Sequence, residues 1–89
     1  MIKTQAIIQN RAGLHVRPAA ALVKLASQFD AEFFIYKDGM EINGKSIIGV
    51  MTLEAPQGAI LELKFDGKDE KEAAKAITEL IANGFGEPK

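Results

Sequence analysis

The pair Asp38-Gly39 separates two short runs of strand-forming residues, and it restricts the possible folds of this chain more than any other feature. The preceding run, AEFFIYK (31–37), is rich in aromatic and branched residues, and MEIN (40–43) follows the pair. Aspartate followed by glycine favours a tight turn between antiparallel strands, because both turn positions then adopt a positive φ. The pair therefore predicts a β-hairpin and, with it, an antiparallel sheet.

The rest of the chain shows two further strands and three helices, each indicated by its own pattern. Apolar and polar residues alternate in AILELKF and roughly alternate in IKTQAII, which indicates strands. Apolar residues recur at three- and four-residue steps in the first and last predicted helices, and Ser46 is a good N-cap for a brief helix between them. The predicted strands are 2–8 and 59–65, and the predicted helices are 16–29, 46–53 and 69–83.

The last predicted helix carries a signal at each end. The negative charge of Asp69 to Glu72 at its start is favoured by the helix dipole, and we expect these side chains to be solvated. Gly84 follows Asn83 and suits the position just after a helix, where a left-handed backbone is common. Both signals support a helix over 69–83.

The order of the predicted elements is βαββαβα, in a chain of 89 residues that is long enough for one core and one domain, residues 1–89. The hairpin and the lack of regular βαβ alternation favour an antiparallel sheet with helices on one face, an α+β sandwich. The other face of such a sheet is partly solvated. Because Phe33, Phe34 and Ile35 follow one another, at least one bulky side chain should point to that less covered face.

Composition excludes several classes of site. The chain has no cysteine, which rules out disulfides and thiolate metal sites, and with one histidine a zinc site would need several carboxylates, so we predict no metal. A formal net charge of −1 disfavours a nucleic-acid binder. No stretch approaches the roughly 18 apolar residues of a membrane span, and the N-terminus lacks the apolar core of a signal peptide. We therefore expect a cytoplasmic monomer that does not insert into a membrane.

The stretch RAGLHVRPAA (11–20) holds the only histidine of the chain, His15, directly before the first predicted helix. The early N–H groups of a helix, here those of Val16 and Arg17, lack partners and form an anion site together with the helix dipole. The Arg17 guanidinium adds a planar, permanent positive charge that suits phosphate oxygens. A lone histidine is often only structural, but these neighbours indicate an imidazole beside a site for a dianion.

Such a site has two chemical interpretations. It could bind a free anion with His15 as one donor, or the imidazole could itself accept a phosphoryl group. The second is favoured, because a helix N-terminus disfavours a charged ring and leaves the imidazole neutral and nucleophilic. Phosphoryl transfer then needs mainly positioning and neutralisation of charge, and the amides and Arg17 supply both. A hydrolase would need a further base, a metal cluster or a second nucleophile, and the sequence shows none.

Two motifs of the chain resemble those of one protein family. GLHVRPAA (13–20) resembles the active-site signature of HPr, the histidine-containing phosphocarrier family of the bacterial phosphoenolpyruvate:sugar phosphotransferase system. NGKSIIGVMTL (43–53) resembles the motif around the regulatory serine of that family, and the similarity extends over essentially the whole chain. It implies an open-faced β-sandwich, in which three helices cover one face of a four-stranded antiparallel sheet. It also implies a phosphoryl carrier without a cofactor or turnover of its own.

The resemblance assigns roles to individual residues. It implies that His15 accepts a phosphoryl group on a ring nitrogen from phosphorylated enzyme I and passes it to the IIA domains of sugar permeases. It implies that Arg17 contacts the phosphohistidine and the acidic surfaces of partners. The partner surface that we predict on this basis contains Arg17, Ala20, Lys24, Ile47, Ile48 and Met51.

Ser46 matches the regulatory serine that an ATP-dependent HPr kinase/phosphorylase phosphorylates in many bacteria. A serine that opens a short helix is usually only a cap, so the residues alone leave both interpretations open. A phosphate there would be tolerated by the helix, yet it would place about two negative charges beside Ile47, Ile48 and Met51 and repel an acidic partner. Helical spacing equally allows Ile47 and Val50 to belong to the core.

Three alternatives remain open from the sequence. A nitrogen-related branch of the system uses a parallel phosphorelay, although the GKSII motif (44–48) leans toward the sugar branch. A regulatory module could dock onto a transcriptional regulator when Ser46 is phosphorylated, but without phosphoryl transfer it would have no need of His15. A small nucleic-acid binder is disfavoured by the acidic balance.

Ser27 and Gly49 stand where many relatives have lysine. We therefore predict fewer basic side chains around the surface that binds partners.

Overall fold

The computed structural model describes residues 1–89, and its elements follow the predicted order βαββαβα. A short 3₁₀ turn follows the last helix. The strands are β1 (Ile2–Ile7), β2 (Glu32–Lys37), β3 (Met40–Asn43) and β4 (Ile60–Asp66), and the helices are α1 (Val16–Ala26), α2 (Ile47–Thr52) and α3 (Glu70–Ala82).

The four strands form one antiparallel sheet in the order β1-β4-β2-β3. The turn between β2 and β3 is the predicted one, since Asp38 and Gly39 both have a positive φ, of 49° and 83°. Side chains alternate along β4, with Leu61, Leu63 and Phe65 buried and the residues between them more exposed. One face of the sheet therefore packs under the helices and the other is open, which confirms the predicted α+β sandwich.

The core lies between the sheet and the helices and contains 17 buried apolar residues. Within it the rings of Phe33 and Phe65 stack, with centroids 4.7 Å apart and planes that differ by 6°. Gly44 follows β3 and packs against the Phe33 ring, and its N–H donates to the Phe33 carbonyl oxygen at 2.7 Å. The next residue of β2, Phe34, points to the open face as expected, where the Lys64 ammonium lies 5.3 Å from its ring centroid.

Several element ends differ from the sequence prediction. The helix α1 ends at Ala26 rather than at residue 29, because the N–H groups of Gln28 and Phe29 each bond a carbonyl three residues back, at 3.1 and 3.2 Å. Such bonds tighten the last turn and end an α-helix. α1 begins at Val16, directly after His15 as predicted, with Pro18 in the first turn, where its missing N–H would have had no intrahelical partner. Three of the four strands differ by one residue at their ends.

The sequence predicted a solvated acidic start of α3, but two of its carboxylates have partners in the structure. Both carboxylate oxygens of Asp69 accept hydrogen bonds at 2.8 Å, from the backbone N–H groups of Asp30 and Ala31. The neighbouring Glu70 pairs with the N-terminal ammonium at 3.1 Å. The bond from Asp30, followed by that from Ala31, holds the pKa of the Asp69 carboxyl below its usual range in spite of partial desolvation. Asp69 therefore ties the start of α3 to the loop between α1 and β2.

We expect Asp69→Asn to lower the Tm at pH 7 by roughly 5 °C, because the two backbone donors lose a charged acceptor. The folded protein holds the pKa of Asp69 below its ordinary value of 3.8, so this stabilisation is present above that value and is lost as pH falls through the lower folded pKa. Thermal unfolding of both proteins between pH 7 and pH 2 measures the difference. The control is Asp66→Asn, an exposed carboxylate without side-chain bonds. A Tm difference that persists unchanged at pH 2 would contradict the prediction.

Candidate functional site

His15 is the N-cap residue of α1, with extended backbone angles of φ −88° and ψ −167°. Its side chain makes no capping bond and is 40% exposed. The next two N–H groups, of Val16 and Arg17, have no backbone acceptor, and they lie at the positive end of the helix dipole. The structure thus brings together the imidazole and the unbonded amides that the sequence predicted.

The loop before His15 is fixed by buried contacts. Gly13 has a φ of 75°, and a Cβ there would lie 2.6 Å from the Ala55 carbonyl oxygen, so glycine is required. The buried Leu14 donates its N–H to the same oxygen at 2.8 Å. Asn10 is fully buried, and its Nδ2 donates to the Gly13 carbonyl oxygen at 2.7 Å. These contacts set the direction in which the chain enters α1.

The site also contains a residue that the sequence reasoning missed, Glu87. Its carboxylate oxygens lie 3.0 and 3.2 Å from Nε2 of His15, and its Oε1 accepts a further bond from Nδ2 of Asn10 at 3.0 Å. These bonds, that with His15 foremost, hold the pKa of the Glu87 carboxyl below its usual range although desolvation opposes them. Glu87 lies 72 positions from His15, and no local pattern singles it out. The glycines that flank Phe85 predict a chain reversal but not the place where the chain returns.

The contact with Glu87 indicates which nitrogen of His15 carries the proton. An ionised carboxylate only accepts hydrogen bonds, so the hydrogen-bond network assigns the proton to Nε2. In a neutral imidazole the free lone pair then belongs to Nδ1. The arrangement therefore offers Nδ1 as a nucleophile beside unbonded backbone amides.

Arg17 lies in the first turn of α1, and its exposed guanidinium makes no hydrogen bond or ion pair within the chain. Its charge is the last of the contributions that lower the pKa of the Glu87 carboxyl, after the hydrogen bond with His15. Ala20 and Lys24, about one and two turns later, are exposed as well. The first turn of the helix that His15 caps thus holds a cation without a partner in the chain.

The helix α2 begins where it was predicted to begin. Oγ of Ser46 accepts a hydrogen bond from the Gly49 N–H at 3.2 Å and caps the helix. Of the two residues for which a core position was open, Val50 is fully buried, whereas Ile47 is 40% exposed. The Ser46 side chain itself is accessible at the start of the helix.

A surface depression of about 390 Å³ joins His15 to α2. Its lining includes His15 and Val16 on one side and Met51 on the other. Ile48, which is 75% exposed, is the most exposed large apolar side chain of the molecule. The residues predicted as a partner surface therefore lie at the surface on α1 and α2, and Met51 shares a depression with the imidazole.

No group of three or more histidine, cysteine, aspartate or glutamate side chains could hold a metal ion. No helix combines the length and the apolar character that a membrane crossing needs.

Comparison with known proteins gives a consistent result. A family model described as "PTS HPr component phosphorylation site" matches residues 2–83. The phosphocarrier protein HPr of Neisseria meningitidis serogroup A is 45% identical over 87 residues, which cover 98% of each chain. A solved structure of HPr from Thermoanaerobacter tengcongensis superposes with a TM-score of 0.95 at 43% identity, and covers all of both chains. A second structure, described as an HPr dimer from that organism, has a TM-score of 0.79 at 44% identity and covers 98% of this chain and 100% of its own.

Proposed function

Because the chain belongs to the HPr family of phosphocarrier proteins of the phosphotransferase system, we propose that His15 is the residue that carries the phosphoryl group. A protein of this family passes the group on and has no independent turnover. The observation that supports His15 most strongly is the partly exposed imidazole at the start of α1, whose Nε2 is occupied by Glu87 while Nδ1 keeps its lone pair. His15 is also the only histidine of the chain.

The transfer step needs few groups. The Nδ1 lone pair of His15 attacks phosphorus, and the bond from phosphorus to the donor breaks, with its electron pair returning to the donor. The N–H groups of Val16 and Arg17 and the Arg17 guanidinium then stabilise the phosphoryl oxygens. Positioning and charge neutralisation of this kind are the main requirements of phosphoryl transfer.

HPr proteins work with other components of the phosphotransferase system, and for this chain we propose enzyme I as the donor and the IIA domains of sugar permeases as acceptors. The exposed apolar side chains of α2 would form the centre of the contact, and cations from α1 would face acidic groups of the partner. The proposed contact residues are Arg17, Ala20, Lys24, Ile47, Ile48 and Met51. A monomeric state and a cytoplasmic location stay predictions.

Incubation with phosphoenolpyruvate labelled in its phosphate and with enzyme I tests this function. We expect label that is labile in acid and stable in base, as a phosphorus–nitrogen bond requires, and its loss when a IIA domain is added. Parallel reactions with the enzyme I of the nitrogen-related branch decide between the two branches, and we expect the sugar-branch enzyme to be faster. Absence of label with both enzymes would exclude the carrier function.

We further propose that Ser46 is a regulatory site, phosphorylated by an HPr kinase/phosphorylase and read by a transcriptional regulator. The accessible Oγ at the start of α2 supports this role, as does its position next to Ile47 and close to Ile48. A phosphate on Ser46 would add a charge of about −2 to this apolar surface. The added negative charge would repel an acidic partner.

Ser46→Asp is expected to lower the rate of phosphoryl transfer from enzyme I about tenfold, because the added charge repels the partner. Aspartate is as good an N-cap as serine, so α2 should remain folded. The control is Ser46→Asn, which also caps a helix but adds no charge. Initial rates at limiting concentrations of the carrier measure the effect, and equal rates for the two variants would contradict it.

A further inference from the structure

The last residues of the chain fold back onto the loop that carries His15. Three consecutive residues have a positive φ, Gly84 at 66°, Phe85 at 57° and Gly86 at 76°, and this run reverses the chain after α3. The Glu87 N–H donates to the Gly84 carbonyl oxygen at 2.9 Å and closes the reversal. We call residues 84–88 the C-terminal strap.

Two bonds attach the C-terminal strap to the loop. The backbone N–H of Arg11 donates to the Pro88 carbonyl oxygen at 2.8 Å. The fully buried Asn10 donates from Nδ2 to Oε1 of Glu87 and to the Gly13 carbonyl oxygen, and these two acceptors fix the orientation of its amide. The Glu87 carboxylate is therefore held in place by groups other than His15.

The Glu87 side chain is 22% exposed, so water only partly screens its interaction with the ring. Both of its oxygens lie within hydrogen-bond distance of Nε2. The strap lies beyond residues 2–83, the part of the chain that the family model matches.

We propose that Glu87 is a positioning residue for phosphoryl transfer, which holds His15 as the Nε2–H tautomer and stabilises the positive charge that the ring gains when Nδ1 is phosphorylated. The proposal depends on the function proposed above. It extends that function by assigning a role to a carboxylate at the far end of the chain.

The charge of the His15 ring changes during phosphoryl transfer, and this change explains the role of the Glu87 carboxylate. The form of the ring that can attack phosphorus is neutral, with a proton on Nε2 and a lone pair on Nδ1. When that lone pair forms the bond to phosphorus, the proton stays on Nε2 and the ring becomes an imidazolium. The Glu87 carboxylate then faces a cation at 3.0 Å, where before it faced a neutral donor, so it stabilises the transition state and the product more than the starting state.

The same contact assists the onward step. A protonated ring is a better leaving group than a neutral phosphoimidazole, because the electron pair of the breaking bond returns to a ring that carries a positive charge. By keeping the proton on Nε2, Glu87 favours both the arrival and the departure of the phosphoryl group. A carboxylate that orients a histidine and stabilises its imidazolium acts in the same way in serine proteases.

Three variants test the proposal. Glu87→Gln keeps the size of the side chain and an accepting oxygen but removes the charge. Glu87→Ala removes both the charge and the accepting oxygens. The control, Glu79→Gln, removes an exposed charge of α3 that has no side-chain bond. With phosphorylated enzyme I as donor, we expect kcat to fall about tenfold for both Glu87 variants, with KM for the carrier within twofold of wild type, because the docking residues are unchanged. Glu79→Gln should match the wild type.

Nitrogen-15 chemical shifts of the His15 ring at pH 7.5 give a readout that does not depend on phosphoryl transfer. We expect the Nε2–H form alone in the wild type, and a measurable Nδ1–H fraction in Glu87→Ala. Slow hydrogen exchange of the Arg11 amide in Glu87→Gln confirms that the strap is still attached. Either of two results would overturn the role of Glu87: a kcat of Glu87→Gln within twofold of the Glu79→Gln value, or ring shifts of Glu87→Ala identical to those of the wild type. If the wild type still takes label, the carrier function stands. A wild type that takes no label overturns both.

Discussion

Replacement of His15 by alanine is expected to abolish phosphorylation by enzyme I, with a loss of at least about a thousandfold. The chain has one histidine, and no other side chain at the start of α1 offers a nitrogen lone pair. The amides of Val16 and Arg17 can bind an anion but cannot form a bond to phosphorus. The measurement is the label transferred from phosphoenolpyruvate in the presence of enzyme I.

The folded state should survive this change. The His15 side chain is 40% exposed and takes no part in capping α1, so we expect the Tm to change by only about 3 °C. His15→Gln is a useful companion, because the glutamine amide can still donate to Glu87 but has no nucleophilic nitrogen. Both variants should be folded and unlabelled.

The chemistry of any remaining label is part of the test. Phosphate on Ser46 would be stable in acid and labile in base, the reverse of a phosphohistidine. Label of the acid-labile kind at wild-type levels in His15→Ala would show that His15 does not carry the phosphoryl group. Such a result would also remove the basis for the role of Glu87.

Gly44→Ala is expected to destabilise the fold by about 3 kcal/mol and to lower the Tm by roughly 15 °C. A Cβ at this position would overlap the ring of Phe33. That ring cannot move aside, because it is 2% exposed and stacked on Phe65. The backbone of Gly44 cannot move either without breaking its bond to the Phe33 carbonyl oxygen. Urea and thermal unfolding measure the change.

The matched control is Gly49→Ala, the same substitution five residues later in the chain. A Cβ on Gly49 would meet its nearest neighbour, Cβ of Ile42, at 3.4 Å, which is ordinary contact. Within a helix alanine is favoured over glycine by about 1 kcal/mol, so Gly49→Ala should leave the Tm unchanged or raise it by a few degrees. Similar losses of stability in the two variants would contradict the steric explanation for Gly44.

Features determined by neighbouring residues were predictable from the sequence. The Asp38-Gly39 turn needs two left-handed positions, and the structure has them. The start of α2 follows from the ability of Ser46 to bond an amide three residues later. The exposure of Phe34 follows from the alternation of a strand with bulky neighbours on both sides. In each case the physical cause lies within a few residues of its effect.

Features that depend on distant residues were not predictable. Asp69 has the sequence context of a solvated helix start, but its partners lie 38 and 39 positions away. Glu87 has the context of a polar chain end, and only the folded chain brings it to His15. The loop that follows the early end of α1 is also held by a distant residue, since Nζ of Lys45 donates to the Phe29 carbonyl oxygen at 2.6 Å. One sequence contains no record of such contacts, because local preferences do not determine them.

The pairing of β1 with β4 links the order of folding to the ability to carry phosphate. These strands join partners between 53 and 63 positions apart, whereas the turn between β2 and β3 spans two residues. Closing a loop of that length costs about 3.5 kcal/mol of chain entropy, so we expect β1 to join the sheet late, after the hairpin and β4 have formed. The His15 loop follows β1 directly and is bonded to the segment before β4. We therefore expect the loop of His15, the proposed phosphoryl acceptor, to be completed in one of the last folding steps, so that a chain that is still folding does not present it.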